Sequence, residues 1–153
     1  MRIAVFPGSF DPFTTGHEDV VRRATTLFDK VIIGVGHNPK KTRHFPLALM
    51  LKKISGTFAD TPGVEVVRYE GLTADFARQQ HAQFLLRGLR NTTDFEYENS
   101  IAQANRFVYP DLETVFLITS PSLAYISSSI VRELYRFGQN VDHFLPYNLE
   151  KAE

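Results

Sequence analysis

The sequence predicts an α/β protein, an open five-stranded parallel sheet with helices on both faces. Three observations predict it. Short apolar runs alternate with amphipathic stretches along the chain. Several of those runs are unbroken in Val, Ile and Leu, as in strands covered on both faces. At 153 residues the chain is far too short for a closed eight-fold barrel, which leaves an open sheet of strand–helix units.

Each element has its own signal. Ile3-Ala4-Val5-Phe6 reads as the first strand. After a Pro/Gly/Thr loop, Val20, Val21, Ala24, Leu27 and Phe28 form a helical stripe, and Thr15 followed by Glu18 fits a capping box at its start. Val31 to Val35 is the second strand, and Leu47, Met50, Leu51, Ile54 and Phe58 make the second stripe. Val64 to Tyr69 is the third strand, followed by a short helix over Thr73 to Gln80. Phe84-Leu85-Leu86 is the fourth strand, and a longer helix runs from Asp94 to Val108. Thr114 to Ile118 is the fifth strand. The last helix, Ser127 to Phe137, is expected to turn Ile130, Leu134 and Phe137 inward. With no linker or repeat, residues 1–153 read as a single domain, its polar end after Pro146 expected to be mobile.

Composition removes several classes of function. Lys plus Arg and Asp plus Glu are 17 each, so no global positive charge favours nucleic acid. The absence of Cys excludes disulfides, thiolate metal sites and thiol nucleophiles. No apolar run has the length of a leader or a membrane span, so a cytoplasmic protein is expected.

The residues that a core does not explain fall just after strands, and in a parallel sheet these positions share one rim. The first loop carries Gly8, Ser9, Phe10 and Asp11, then Thr14, Thr15, Gly16 and His17. It has the glycine, hydroxyl and helix start of a phosphate site. The alternative is that Ser9 and Thr15 only cap and turn while His17 packs. The second loop carries Lys40 and Lys41, a solvated pair or phosphate ligands. The fourth carries Arg87-Gly88-Leu89-Arg90. These two guanidiniums either clamp phosphate or form salt bridges to Asp94, Glu96 or Glu98, and Gly88 admits a close backbone approach. Glu98, Ile101, Ala102 and Asn105 share a helix face, for a ligand, a neighbouring loop or a subunit contact. Ser127-Ser128-Ser129 offers one cap and a surplus of hydroxyls and N–H groups for an anion. No Gly-x-Gly-x-x-Gly, P-loop, metal-ligand cluster or hydrolase elbow is present. A rim of cations and donors suits phosphoryl or nucleotidyl transfer.

Gly8-Ser9-Phe10-Asp11-Pro12 with Thr14-Thr15-Gly16-His17 resembles the first signature of the nucleotidyltransferase superfamily, and Ile126-Ser127-Ser128-Ser129 with Arg132 resembles its second. Arg87-Gly88-Leu89-Arg90, Asp94-Phe95-Glu96-Tyr97-Glu98 and His143-Phe144-Leu145-Pro146 resemble the bacterial phosphopantetheine adenylyltransferase family, over residues 3 to 149. The resemblance implies a Rossmann-like fold and a homohexamer. It implies transfer of AMP from ATP, with Mg²⁺, to 4′-phosphopantetheine, and feedback inhibition by coenzyme A. By position it implies His17, Lys41 and Arg90 as catalytic residues. It implies ATP contacts from Ser9, Phe10, His17, Gly88, Leu89, Arg90, Glu98 and the segment Leu123, Ala124, Tyr125, Ile126, Ser127, Ser128 and Ser129. It implies Ser9, Lys41, Thr73, Arg87 and Asn105 at the acceptor, and no metal ligands on the protein. Lys41 aligns with the family's lysine when anchored on Phe45, with Lys40 its neighbour. Leu123 stands where Trp is common. The rival readings are another superfamily member, using nicotinamide mononucleotide or an alcohol phosphate, and a nucleotide- or coenzyme A-binding sensor without catalysis.

Overall fold

The computed structural model describes residues 1–150. Its elements follow the order β1 (Ile3–Gly8), α1 (Thr15–Ala24), β2 (Lys30–Gly36), α2 (Leu47–Thr57), β3 (Val64–Tyr69), α3 (Thr73–Gln79), β4 (Phe84–Leu89), α4 (Thr92–Val108), β5 (Glu113–Ile118) and α5 (Ser128–Arg136). Short 3₁₀ turns occupy Pro121–Leu123 and Asp142–Phe144. The strands form one sheet in the order β3-β2-β1-β4-β5, with every neighbouring pair parallel. The expected five-stranded parallel sheet is present.

The two-residue period of a strand divides the apolar runs between the two faces. Ala4 and Phe6 of β1, Val31, Ile33 and Val35 of β2, and Leu86 of β4 pack with Val20, Val21 and Ala24 of α1 and Met50 and Ile54 of α2. Val5, Ile32 and Leu85 pack on the other side with Ala74, Phe76 and Ala77 of α3, and with Val108 of α4 at the margin. Burial on both faces therefore holds for β1 and β2. It weakens at the edges, where Glu65 and Arg68 of β3 reach solvent. Among the described residues no helix is long and apolar enough to cross a membrane.

Three expectations need correction. The cap of α1 is Thr14 rather than Thr15. Its hydroxyl accepts from the His17 N–H, and the His17 side chain closes the capping box that had been assigned to Glu18. Glu18 instead pairs with Arg22 one turn on. Arg87, Gly88 and Leu89 lie inside β4 and pair with Phe116, Leu117 and Ile118 of β5, so the strand is longer than its apolar run. In α5 it is Val131 that is fully buried, whereas Ile130 and Phe137 are exposed. The stripe is rotated because α5 packs on the chain's own end, through Val141 and Leu145.

Part of that end packs back on the fold. Tyr147 and Leu149 join the core, and the Tyr147 hydroxyl donates to the Phe13 carbonyl at 2.6 Å. The last residues of the polar end, 151–153, lie outside the described residues. Replacing Tyr147 by Phe leaves the carbonyl of the buried Phe13 without its donor. This should cost about 1–3 kcal/mol, read as a lower urea midpoint at unchanged m-value.

Candidate active site

The strand order reverses between β1 and β4. The chain leaves β1 toward β2 and β3 on one side and returns through β4 to β5 on the other. The loops beyond the two carboxyl ends diverge there and leave a crevice. Two cavities open into it. The larger, about 860 Å³, is lined by the expected acceptor residues Ser9, Lys41, Thr73, Arg87 and Asn105. The smaller, about 300 Å³, is lined by Phe10, His17, Gly88, Arg90 and Ser127 to Ser129, among others. Ser9, Arg87 and Glu98 border both. Lys41 reaches the lining of the larger cavity and Lys40 does not.

His17 stands in the first turn of α1. Its Nδ1 accepts the Thr14 backbone N–H at 2.9 Å. An amide nitrogen only donates, so Nδ1 carries a lone pair and the proton of the neutral ring is on Nε2. The rings of Phe6, Phe10 and Phe13 lie 6.1, 5.0 and 5.3 Å from the imidazole, centre to centre. Burial, then the charges of Arg87 and Arg90, push its pKa from 6.5 down to about 3. At neutral pH it is a fixed, uncharged hydrogen-bond donor. Gly8 admits the Phe10 ring to this wall, since a Cβ there would sit 2.8 Å from Phe10 Cζ.

Both arginines of β4 and its exit are held by carboxylates of α4. Arg87 donates from Nε and Nη2 to the two oxygens of Glu98, at 2.7 and 2.6 Å, and from Nη1 to the Pro7 carbonyl. Glu98 is only 8% exposed. A guanidinium has five N–H donors. Three are engaged in fixing Arg87, which leaves two oriented donors beside both cavities. Arg90 donates to Asp94 from its backbone N and from Nε, each at 3.0 Å, and from Nη2 at 3.2 Å. The salt-bridge and ligand readings of these arginines are thus compatible. Gly88 serves packing, because a Cβ there would come within 3.1 Å of Val20 Cγ2 on α1.

Each of the three serines has a partner within the protein. Ser127 caps α5 by accepting the Ile130 N–H, Ser128 Oγ donates to the Pro12 carbonyl, and Ser129 Oγ accepts from Arg132. Ser127 and Ser129 use only lone pairs in these bonds, so their O–H donors remain for an anion beside the backbone N–H groups opening α5. Ile126 joins them in the smaller cavity. Leu89, Leu123, Ala124 and Tyr125 line neither cavity. Leu89 lies at the end of β4, and Leu123 belongs to the 3₁₀ turn before α5. Tyr125 is 54% exposed beside Phe144.

Arg43, His44, Tyr69 and Arg136 line the larger cavity without having been singled out in the sequence. For Arg43 the one available signal was its place in the basic run Lys40-Lys41-Thr42-Arg43-His44. Two of its partners are backbone carbonyls of Ser9 and Phe10, more than thirty residues away. Among the described residues, no group of three or more His, Cys, Asp or Glu side chains could hold a metal ion.

A family model described as cytidylyltransferase-like matches residues 5–134. The phosphopantetheine adenylyltransferase of Cytophaga hutchinsonii is 60% identical over 148 residues, 97% of this chain and 99% of that protein. The phosphopantetheine adenylyltransferase of Phocaeicola vulgatus is 51% identical over 150 residues, 98% of this chain and 99% of that protein. Among solved structures, a bifunctional NMN adenylyltransferase/ADP ribose pyrophosphatase from Francisella tularensis matches 96% of this chain with a TM-score of 0.70 and 18% identity. This chain spans 45% of that structure, and the likeness bears on the fold alone. The crevice beside the sheet reversal lies on a nucleotidyltransferase-like fold, and more than half the residues are shared with relatives over nearly their whole length. The chain belongs to the phosphopantetheine adenylyltransferase family.

Proposed function

We propose that this protein transfers AMP from ATP to 4′-phosphopantetheine, giving dephospho-coenzyme A and pyrophosphate. The observation that carries the reading is the pair of cavities meeting at Ser9, Arg87 and Glu98. ATP takes the smaller one, with its outer phosphates toward Arg90 and the N-terminus of α5. The acceptor takes the larger one, with its phosphate toward Arg87 and Lys41 and its arm along Thr73 and Asn105.

The nucleophile is a phosphate monoester, largely dianionic near neutral pH because its second pKa is about 6. It needs no general base. One of its oxygens attacks the α-phosphorus of ATP in line. A new P–O bond forms there, the bond to the bridging oxygen breaks, and pyrophosphate carries away that electron pair. The protein holds two anions together and meets the charge on the equatorial and leaving oxygens. His17, neutral and protonated on Nε2, donates to an α-phosphoryl oxygen. Lys41 and Arg90 stabilise developing charge, and the two remaining donors of Arg87 grip the incoming phosphate. Mg²⁺ enters as part of the substrate, on the phosphates of ATP, as is usual for this ion. Feedback by coenzyme A fits a site already shaped for its two halves. Apolar side chains exposed on α4 and β5, including Phe95, Tyr97 and Ile118, offer surface for a homohexamer.

The direct test is pyrophosphate release from ATP and Mg²⁺ with 4′-phosphopantetheine as acceptor and nicotinamide mononucleotide as control. Release that depends on phosphopantetheine, with dephospho-coenzyme A identified by mass, is the expected result. Release with the control alone would move the acceptor to another class, and ATP binding without turnover would make the protein a sensor. His17→Ala should lower kcat by about 10²–10³ while ATP affinity stays near wild type, as for loss of one preorganised donor. Because the folded pKa of His17 lies far below 6.5, its ring stays neutral as pH rises from 5 to 8. ¹⁵N NMR should show a single Nε2–H tautomer across that range. The fall in kcat/KM below about pH 6 should then follow the acceptor's phosphate, whose second pKa lies there.

A further inference from the structure

Arg43 and Asp11 join the two loops that bring Ser9 and Lys41 to the crevice. The Arg43 guanidinium donates from Nη1 to the Ser9 carbonyl at 2.6 Å, from Nη2 to the Phe10 carbonyl at 2.9 Å, and from Nε to the Phe45 carbonyl at 3.0 Å. In the opposite direction, the Asp11 carboxylate accepts the Phe45 N–H on Oδ1 at 2.8 Å and the His44 N–H on Oδ2 at 2.9 Å. The two charged groups face each other at 3.9 Å, and their side chains are only 12% and 13% exposed. Arg132 adds a third tie, from α5 to the Asp11 carbonyl at 2.7 Å.

The loop so gripped is one that does not hold itself. Phe10 has φ of 46°, in the left-handed region that residues with a side chain rarely adopt. Such a conformation persists where surrounding contacts over-determine it. Here the contacts are the carbonyl bonds from Arg43 and the ring packing of Phe10 on Phe6, Phe13 and His17. Lys41 lies two residues before Arg43, and its own described backbone tie is local, from its N–H to the Asn38 carbonyl at 3.0 Å. The clasp is therefore the link that sets the Lys41 loop against the Ser9 loop.

We propose that Arg43 is a positioning residue for the transfer reaction, holding the Ser9–Phe10 backbone and the lysine loop in one register through three carbonyls. The assignment rests on the adenylyl-transfer reading above, and it names a residue that reads the geometry of the site without touching the reacting atoms. A lysine at this position keeps the charge but, as a compact ammonium on a flexible stem, cannot reproduce a planar fork with fixed directions. That separates positioning from a mere need for positive charge.

The experiment compares wild type with Arg43→Lys and Arg43→Gln in the full chain. It measures kcat and both KM values with ATP, Mg²⁺ and 4′-phosphopantetheine, together with amide hydrogen exchange. Arg43→Lys is expected to lose on the order of 10²-fold in kcat, the size of an ångström-scale misplacement. Its KM for ATP and its thermal midpoint should stay near wild type. Exchange should speed up together in residues 8–12 and 38–45 while the sheet core remains protected. Full activity in Arg43→Lys, or wild-type exchange in both loops, overturns the proposal. Equal losses in kcat and thermal midpoint in the lysine variant, with exchange raised across the sheet, would make Arg43 a general stability residue and overturn it too. If Arg43→Gln fails to fold, the lysine variant alone decides. A wild type that never uses phosphopantetheine overturns the functional reading separately, and the exchange comparison still decides for or against the clasp.

Discussion

A parallel sheet cannot close its strands with tight turns. Each strand must be left through a helix that returns the chain to the same starting edge. All five carboxyl ends consequently lie on one rim, and reversal of strand order between β1 and β4 opens that rim at a single place. The rest of the molecule depends on this constraint. The Ser9 loop, which leads into the start of α1, and the Arg90 exit are neighbours because they flank the reversal, although they are far apart along the chain. The core strands can be wholly apolar because polar chemistry has been moved to their ends.

The crevice is kept polar at a cost that internal pairing offsets. Arg87 is drawn into the end of an otherwise apolar strand, where an unpaired charge would be strongly unfavourable. Glu98 meets it with both oxygens and Pro7 with a carbonyl. The same pairing that makes the guanidinium tolerable also removes its rotational freedom. His17 follows a parallel logic. Its capping contact with Thr14 fixes both the ring and the tautomer, so a helix cap becomes an oriented donor. Asp11 and Arg43 extend this to the backbone, tying two irregular loops by bonds that neither could make alone. Preorganisation here comes from buried, reciprocal polar contacts rather than from rigid secondary structure.

Periodicity made the elements legible, and every expected strand and helix is present. The misreadings share one cause: local pattern does not report what lies across the fold. Thr15 looked like a cap from its spacing to Glu18, but the turn geometry selects Thr14 and gives its N3 partner to His17. Phe137 looked inward by helical spacing, yet the face of α5 is set by the chain end packed against it. Nor does the polar pattern after Pro146 report that Tyr147 finds a carbonyl 134 residues earlier. Arg87 looked like a strand terminus because the apolar run stops there. The ladder to β5 continues because it is made by backbone groups, which take no notice of side-chain polarity.

The sequence by itself determined the alternation of strands and helices, the parallel sheet and the loops that carry chemistry, because these follow from periodicity and from where glycine, hydroxyl and charge interrupt it. It also carried the family, through short motifs whose spacing is rarely met by chance. Only the tertiary structure decided that Lys41 rather than Lys40 reaches the larger cavity, that the three serines are already engaged, and that Arg43 joins two loops. The physical reason is the range of the contacts. Periodicity and capping act within a few residues. The bonds that orient this crevice mostly run to backbone carbonyls or carboxylates distant in sequence, and a carbonyl is the same at every position of the chain.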